Sequence, residues 1–433
     1  MHTFFKKVIT YILKIESELV LWKYKPKVIG ITGSVGKTST KDAVYAVLSS
    51  FKYVRKSEKS FNSEIGLPLT VLGIPNGWNN PIVWLHNTLK GLWLFIWPHK
   101  YPEWLVLEVG VGKPGDMKKT ASWLKTDVVI ITAIGDTPAH IEFFNSRKHL
   151  VEEKSKLIKT LKKDGLLILN ADDDSVLEMK SLTKNIVITY GFKEGADILG
   201  SSDSIFYNEK SEPEGVVFRV DIEGKSLPVV IDGVFGRNHI YASLAALTLS
   251  YGLKFNIINA INSLKNYDVP PGRMRLLKGI NESLIIDDTY NSSPFACESA
   301  LKTLNEIDCK NSCRKIAVLG DMLELGRHTV EAHKNIGKIA KDKVDILMVV
   351  GPRSKSIKEG ALEEGMKEKN IFEFLDSIEA ANFIKDFVQK GDIVLVKGSQ
   401  GMRMERVTAI ILLDQENKDK LLVRQDEEWL KKK

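Results

Sequence analysis

The stretch Gly33-Ser34-Val35-Gly36-Lys37-Thr38 lies between the apolar run Val28-Ile29-Gly30-Ile31-Thr32 and a helical pattern that extends to about Ser50. A strand, a glycine-containing turn and a helix N-terminus in this order are typical of a phosphate-binding loop, because backbone N–H groups and the helix end attract phosphate oxygens. We expect Lys37 to neutralise the β- and γ-phosphates of a nucleotide. We expect Thr38 to offer its hydroxyl to Mg²⁺.

Short apolar runs alternate with longer helical patterns along most of the chain. The clearest further runs are 105–109, 127–132, 284–288, 315–320, 346–351 and 392–396. Strands of this kind, buried on both faces and separated by helices, predict parallel α/β sheets. Two more runs, 216–220 and 227–231, flank Glu223-Gly224 and predict a β-hairpin attached to the first sheet.

The chain has 433 residues, which is too long for one compact core. A proline-rich segment at 267–272 predicts a domain boundary. We therefore predict a short amphipathic helix in residues 1–27, a central P-loop ATPase-like domain in 28–266 and a C-terminal Rossmann-like α/β domain in 267–433.

Composition excludes several classes of protein. The chain is 43% hydrophobic and 27% charged, as in ordinary globular proteins, and its formal charge of +7 comes largely from scattered lysines, so we do not expect nucleic-acid binding. Three cysteines are too few for a disulfide framework and suit a reducing cytoplasm. The apolar N-terminal stretch is interrupted by Lys14, Glu16 and Glu18, so it predicts neither a signal peptide nor a spanning helix.

Several motifs resemble the Mur ligases, which join amino acids or peptides to a carboxylate through an acyl phosphate. The segment from Ile31 to Thr40 is similar to their ATP loop. Six further segments occur in the order of the MurF type, which adds D-alanyl-D-alanine to a UDP-linked muramoyl tripeptide: 62–68, 108–110, 139–142, 287–294, 318–326 and 396–399. The resemblance covers residues 28 to 410 and implies ATP and Mg²⁺ as cofactors, at two metal sites.

The resemblance also assigns catalytic residues. Glu108 and His140 are placed to bind Mg²⁺ together with Thr38, although a hard cation prefers oxygen and the histidine rests on the resemblance alone. Lys154 aligns with a family lysine that becomes a carbamate and bridges to a second metal ion. Lys156 stands where many relatives carry glutamate or glutamine, so it is the alternative carbamate, and a solvated helix face is the non-catalytic interpretation.

Nucleotide and substrate contacts follow from the same resemblance. ATP is expected to contact the loop residues and several residues from the second half of the chain: Gly33, Ser34, Val35, Gly36, Lys37, Thr38, Ser39, Asn238, His239, Arg273 and Asp288. Either Asn238 or His239 is expected to contact the base, while Arg273 reaches the phosphates from the next domain. The other substrates are expected to contact Asn62, Glu64, Asn291, Lys397 and Ser399.

Two regions depart from the family pattern: the segment before the central domain and an insert within it. About 27 residues precede the ATP-loop strand, fewer than an autonomous UDP-binding domain needs, so we expect the grip on the UDP-sugar to be rebuilt, weakened or absent. A Trp-rich insert at 77–104 contains five of the eight tryptophans, counting both ends. We interpret it as a helix packed on the core; a membrane-surface or partner-docking helix and a replacement substrate platform are the alternatives.

The leading hypothesis is a cytoplasmic, monomeric MurF-like ligase with small-molecule substrates. The insert leaves open a peripheral contact with the inner membrane face or with another protein. A second hypothesis keeps ATP-driven amide formation but on another carboxylate acceptor, such as a different cell-wall polymer precursor or a cofactor. A third is a non-catalytic nucleotide-binding partner of a membrane complex, and the joint presence of Lys37, Glu108, His140 and Lys154 argues against it.

Overall fold

A computed structural model describes residues 3–58, 61–135, 143–308 and 313–431. Two α/β units follow one another along the chain, each built on its own sheet. The first sheet has the strand order β2-β3-β1-β4-β5-β6-β7-β8-β9. Its strands are β1 Lys27–Thr32, β2 Val54–Lys56, β3 Trp104–Glu108, β4 Thr126–Ile131, β5 Leu161–Asn170, β6 Ile186–Gly191, β7 Ile198–Tyr207, β8 Pro213–Ile222 and β9 Lys225–Asp232.

The second sheet has the strand order β10-β11-β15-β12-β13-β14. It is parallel except for β10, which pairs antiparallel with β11. Its strands are β10 Arg275–Lys278, β11 Leu284–Asp288, β12 Lys315–Gly320, β13 Ile346–Val350, β14 Ile371–Phe374 and β15 Ile393–Lys397.

Helices connect and cover the strands of both sheets. In the first unit they are α1 Thr3–Tyr24, α2 Lys37–Ser49, α3 Gly66–Leu72, α4 Pro81–Ile96, α5 Asp116–Ala121, α6 Arg147–Ser155, α7 Asp174–Leu177, α8 Arg237–Gly252 and α9 Ile257–Ser263. In the second they are α10 Pro294–Glu306, α11 Thr329–Lys341, α12 Lys355–Glu363, α13 Ser377–Phe387, α14 Glu405–Ile411, α15 Lys418–Leu421 and α16 Glu427–Leu430.

The predicted fold class is confirmed. Strands β1, β3 and β4 are buried on both faces, which is why their sequences are nearly continuous apolar runs. The predicted hairpin forms as β8 and β9, but the sequence did not reveal β7, which pairs parallel with β6 and antiparallel with β8. The middle of β7 is a polar stretch, Ser201 to Ser204, that is only half-buried or exposed, so its pattern was not distinct.

The topology brings the carboxyl ends of both sheets to one cleft. In the first sheet β1 and β3 run parallel and end at the phosphate loop and at Glu108. In the second sheet β11 and β15 run parallel and end at Asp288 and Lys397. Open α/β sheets bind ligands at this edge, so the cleft is where a nucleotide is expected.

Helices α1 and α4 pack against each other beside the first sheet. The approach is close at Gly91, where an added Cβ would lie 2.3 Å from Glu16 Oε2. Glu16 is buried in this contact, its Oε2 has no hydrogen-bond partner among the described residues, and burial raises its pKa to about 7. The packing of α1 against α4 therefore favours the neutral form of the Glu16 carboxyl.

This burial predicts a pH-dependent stability. Because the folded-state pKa of Glu16 lies above its ordinary value of 4.5, its contribution to stability is fully present below pH 4.5 and is lost as the pH rises through about 7. Between pH 5 and pH 8, the free energy of unfolding of the wild type should therefore fall by roughly 2–3 kcal/mol more than that of Glu16→Gln, whose side chain stays neutral. Thermal melts across this range measure the difference. Glu18→Gln on the exposed face of α1 is the matched control, and parallel pH profiles of wild type and Glu16→Gln would contradict the assignment.

Candidate active site

The phosphate loop needs glycine at two positions. At Gly33, φ is 146° and an added Cβ would lie 1.9 Å from Thr132 Oγ1, so only glycine fits against β4. At Gly36, φ is 83°, a left-handed conformation that L side chains rarely adopt. Helix α2 begins at the next residue, Lys37, and no side chain caps its N-terminus.

The loop backbone is only partly available to a phosphate. The N–H groups of Ser34 and Val35 donate to the carbonyl oxygen of Ala133, at 2.8 and 3.1 Å. The first-turn N–H groups of an α-helix have no partner within the helix, so those of α2 remain for an anion, from Lys37 to Ser39. The phosphate-binding part of the loop is therefore its helical end.

A buried carboxylate lies against the start of α2. Glu108, at the end of β3, is 1% exposed, and its Oε2 accepts a hydrogen bond from Thr38 Oγ1 at 2.9 Å. Its Oε1 accepts one from Asn62 Nδ2, also at 2.9 Å. Two oxygen-bearing side chains thus meet beside the phosphate loop, which is the ligand chemistry that Mg²⁺ prefers.

Two lysines converge on the same loop. Lys37 Nζ donates to the carbonyl oxygen of Ser34 at 3.2 Å, and Lys154 Nζ donates to that of Gly33 at 2.9 Å. Burial lowers the pKa of Lys37, with Glu108 opposing this effect. Burial, and then the nearby charge of Lys37, holds the pKa of Lys154 well below its usual range. Lys154 therefore occupies a place where the neutral amine is favoured.

The structure separates Lys154 from the alternative residue Lys156. Lys156 is partly exposed at the end of α6, and its Nζ pairs with Glu153 Oε2 at 2.5 Å. Glu153 in turn accepts hydrogen bonds from the N–H groups of Gly115 and Met117 at the start of α5. Lys156 thus belongs to a contact between α5 and α6, whereas Lys154 reaches the phosphate loop.

Arg273 joins the second unit to the loop. Its Nη2 lies 3.4 Å from Thr38 Oγ1, its guanidinium stacks on Tyr290 with 3.9 Å between Cζ and the ring centroid, and its buried Nε has no partner among the described residues. A guanidinium with a free donor beside the first turn of α2 suits a phosphate oxygen.

Asn238 and His239 differ in their surroundings. The ring nitrogens of His239 lie 2.9 Å from Tyr267 Oη and 2.6 Å from the carbonyl oxygen of Arg273. Burial lowers the pKa of His239 to about 4, so the ring is neutral near pH 7. Asn238 lines the cleft and is less buried. His239 therefore positions the Arg273 backbone, and Asn238 is the better placed of the two to contact a ligand.

The second unit contributes a buried ion pair. Lys397 Nζ lies 2.5 Å from Asp288 Oδ2 and 3.0 Å from the carbonyl oxygen of Asn291. Asp288, Asn291 and Lys397 all line the cleft that faces the phosphate loop. Ser399 is set back from it, donating toward the carbonyl oxygen of Ser292 at 3.4 Å and accepting from the N–H group of Leu323 at 2.8 Å.

A second cavity, of about 510 Å³, also adjoins the loop and shares Val35, Gly36 and Asn238 with the first cleft. Its walls include Asp172, Tyr241 and Phe295, which the sequence patterns did not single out. Tyr241 Oη donates to Asp172 Oδ2 at 2.7 Å, and Phe295 also lines the first cleft. The available signal was the run of three aspartates at 172–174, which follows the buried end of β5 after one alanine. An aromatic and polar cavity beside a phosphate loop is suited to a nucleoside.

The remaining predicted residues fall into three groups. His140 lies outside the described residues. Asn62 contacts Glu108, as described above, whereas Glu64 pairs with Lys119 at 2.6 Å on the far side of the same segment. Within the described part of the chain, no group of three or more His, Cys, Asp or Glu side chains converges as a metal site.

The chain was compared with known protein families. Residues 31–250 match the model of the Mur ligase middle domain. Residues 272–400 match the model described as "Mur ligase, glutamate ligase domain". The first segment contains the end of β1 and strands β2 to β9, and the second contains all of the second sheet.

Individual relatives were found among curated proteins and solved structures. The chain is 31% identical over 385 residues to the UDP-N-acetylmuramoyl-tripeptide–D-alanyl-D-alanine ligase of Bacillus subtilis, covering 88% of this chain and 75% of the relative. It is 26% identical to the Escherichia coli enzyme of the same name, covering 90% and 78%. The crystal structure of the MurF ligase from Thermotoga maritima in complex with ADP superposes with a TM-score of 0.75 at 26% identity, over 95% of this chain and 84% of that one.

Proposed function

The chain belongs to the Mur ligase family, and we propose that it is an ATP-dependent ligase of the MurF type. It adds D-alanyl-D-alanine to a UDP-linked muramoyl tripeptide in peptidoglycan precursor synthesis, with release of ADP and phosphate. The observation that carries this proposal is the contact between Arg273 and Thr38, which donates to Glu108 beside the phosphate loop. Arg273 and Asp288 also line the cleft between the two sheets.

The reaction has two bond-forming steps. An oxygen of the acceptor carboxylate attacks the γ-phosphorus of ATP, the bond from that phosphorus to the β,γ-bridging oxygen breaks, and ADP leaves. The amine of D-alanyl-D-alanine then attacks the acyl carbon, the carbon–oxygen bond to phosphate breaks, and the amine loses a proton. The amide is thus formed at the expense of one ATP.

The residues of the cleft reduce repulsion between the anions in the first step. Lys37 and Arg273 supply positive charge at the phosphate end, and the first-turn N–H groups of α2 donate to phosphate oxygens. Thr38 and Glu108 would hold Mg²⁺, which neutralises the charge that develops on the transferred phosphoryl group. Arg273 contacts Thr38 at the phosphate loop, so the second unit contributes a residue to the ATP site.

Lys154 is proposed to act as a carbamate. It is buried, it touches the phosphate loop, and its surroundings favour the neutral amine that reacts with CO₂. Carbamate formation would replace an amine that gains no stable positive charge beside Lys37 with an anionic oxygen ligand. This exchange gives a second metal ion an oxygen donor.

The function is tested by phosphate release from ATP with Mg²⁺ and bicarbonate, in the presence of UDP-muramoyl tripeptide and D-alanyl-D-alanine. We expect release only when both substrates are present, together with one mole of amide product per mole of phosphate. ATP binding without turnover would exclude this substrate pair. Turnover with another carboxylate in place of the tripeptide would identify the alternative acceptor class.

The Trp-rich segment is proposed to contact the membrane surface. On α4 an exposed apolar stripe, here called the α4 stripe, follows helical spacing, with its members 45 to 76% exposed: Ile82, Leu85, Leu89, Leu92, Trp93 and Ile96. Trp93 and Trp97 stack with ring centroids 5.1 Å apart and are half exposed. Among the described helices, none combines the length and apolarity needed to cross a bilayer.

The charge of the residues around the α4 stripe favours an anionic bilayer as its binding partner. Residues 75–102 contain Lys90 and Lys100 and no aspartate or glutamate. Tryptophans and lysines around an apolar helix face are typical of interfacial helices. The proposed enzyme would thus work in the cytoplasm, where its ATP is available, at the inner face of the membrane.

Vesicle binding tests this surface. Wild-type protein should co-sediment with vesicles rich in phosphatidylglycerol, and the double variant Trp93→Ala, Trp97→Ala should bind about tenfold or more weakly because both rings leave the interface. Ile378→Ala, which removes an exposed apolar side chain from the second unit, is the matched control. Failure of the wild type to bind, or equal binding by the double variant, would exclude the membrane contact.

A further inference from the structure

A groove beside α1 is separate from the cleft that holds the catalytic residues. It lies between α1, α3 and α5 and has a volume of about 470 Å³. Lys14 spans it, because its Nζ lies 3.5 Å from Ser122 Oγ just after α5. The groove is open to solvent along the exposed side of α1.

Positive charge is concentrated at the rim of this groove. Four lysines line it: Lys6, Lys7, Lys14 and Lys119. Lys119 pairs with Glu64 at 2.6 Å, and Lys14 lies 3.7 Å from Glu18. Lys6 and Lys7 have no carboxylate within ion-pair distance among the described residues, so their charge is left for a ligand.

Two aromatic rings complete the lining. Tyr11 is exposed, with 64% of its surface accessible, and Trp123 is half-buried on the opposite wall. Rings beside ammonium groups suit a ligand that has a flat or apolar part next to phosphates. Inorganic phosphate alone would use the lysines and leave the rings without a role.

The groove lies next to Asn62 and Glu64, which the family resemblance assigns to substrate contacts. Asn62 contacts Glu108 in the active site, and Glu64, two residues later, lines the groove and holds Lys119. An extended acceptor with its carboxylate near Glu108 could therefore continue past Glu64 toward α1. Its distal end would meet the four lysines.

We propose that this groove binds the diphosphate end of the glycan acceptor, carried on a nucleoside or on a lipid. The inference rests on the proposed ligase function, because the named relatives act on a UDP-linked tripeptide. Lys6, Lys7 and Lys14 bind the phosphates, and Tyr11 and Trp123 contact the group beyond them. The groove thereby holds the end of the acceptor that is remote from the reacting carboxylate, and this contact lowers the KM for the acceptor.

Calorimetric titration with UDP and, separately, with farnesyl diphosphate tests the proposal and identifies the carrier. We expect wild-type protein to bind one of these diphosphates, and the Lys7→Ala, Lys14→Ala double variant to bind it at least about tenfold more weakly through loss of charge-assisted hydrogen bonds. Lys118→Ala, on the exposed face of α5 outside the groove, is the matched control. Lys14→Arg should keep most of the affinity, which separates charge from folding.

Kinetics distinguish this inference from the function on which it rests. In the double variant we expect a higher KM for the acceptor with little change in kcat and in the KM for ATP. A normal KM for the acceptor in an active double variant would reject the proposed role of the groove and leave the ligase function intact. The absence of binding of either diphosphate by the wild type would do the same. Lysine-dependent diphosphate binding in a protein that never releases phosphate would instead reject the ligase function.

Discussion

Lys37→Ala is expected to reduce ATP-dependent phosphate release by about a thousandfold, while the protein remains folded. The first step brings an acceptor carboxylate to a triphosphate, so the charge that Lys37 places beside the loop counts most in the transition state. Its removal also takes away one of the cations on α2 that interact with Glu108. The loss should therefore appear in kcat at saturating ATP, measured by continuous phosphate release.

A surface lysine near the same helix provides the control. Lys52 lies just after α2 and makes an exposed contact with Glu103, at 3.5 Å, so Lys52→Ala should keep wild-type activity. Surface ion pairs of this kind contribute little to stability, and the two variants should melt at similar temperatures. Wild-type turnover by Lys37→Ala would reject the proposed use of the phosphate loop.

Local sequence predicted the parts of the site that depend on neighbouring residues. The strand, the turn and the helix around Gly33 and Lys37 follow one another in the chain, so their pattern sufficed. The buried runs also predicted β11, β12, β13 and β15 to within about two residues, because parallel strands are apolar on both faces. Glu108 and Lys154 could be assigned only through the family resemblance, since they reach the loop from positions distant in sequence.

Other features of the site depend on contacts that no local pattern encodes. The N–H groups of Ser34 and Val35 are engaged by Ala133, about a hundred residues away, which restricts phosphate binding to the start of α2. Asp172 and Tyr241 form the wall of the second cavity through a hydrogen bond between two distant elements. Asn238 and His239 are adjacent in sequence, and only the packing of Tyr267 against His239 shows which of the two side chains has a structural role.

The second large effect is expected at Lys154. If its carbamate holds a metal ion, Lys154→Ala should lose about a hundredfold to a thousandfold in phosphate release, as for the loss of other electrostatic groups at such sites. A cavity of side-chain size would remain next to the carbonyl oxygen of Gly33. Acetate or propionate in millimolar excess should then restore part of the activity, because a free carboxylate can take the place of the carbamate oxygens.

Two matched variants make this prediction specific. Lys156→Ala, two residues further on and partly exposed in its pair with Glu153, should stay active and should not respond to acetate. Lys37→Ala should not be rescued either, because its defect is a missing cation. Activity of the wild type should also fall in CO₂-depleted buffer and recover with bicarbonate. If carboxylates do not restore the activity of Lys154→Ala and CO₂ does not affect the wild type, Lys154 acts as an amine. If Lys156→Ala is instead the variant that is inactive and is rescued by acetate, the carbamate must be assigned to Lys156.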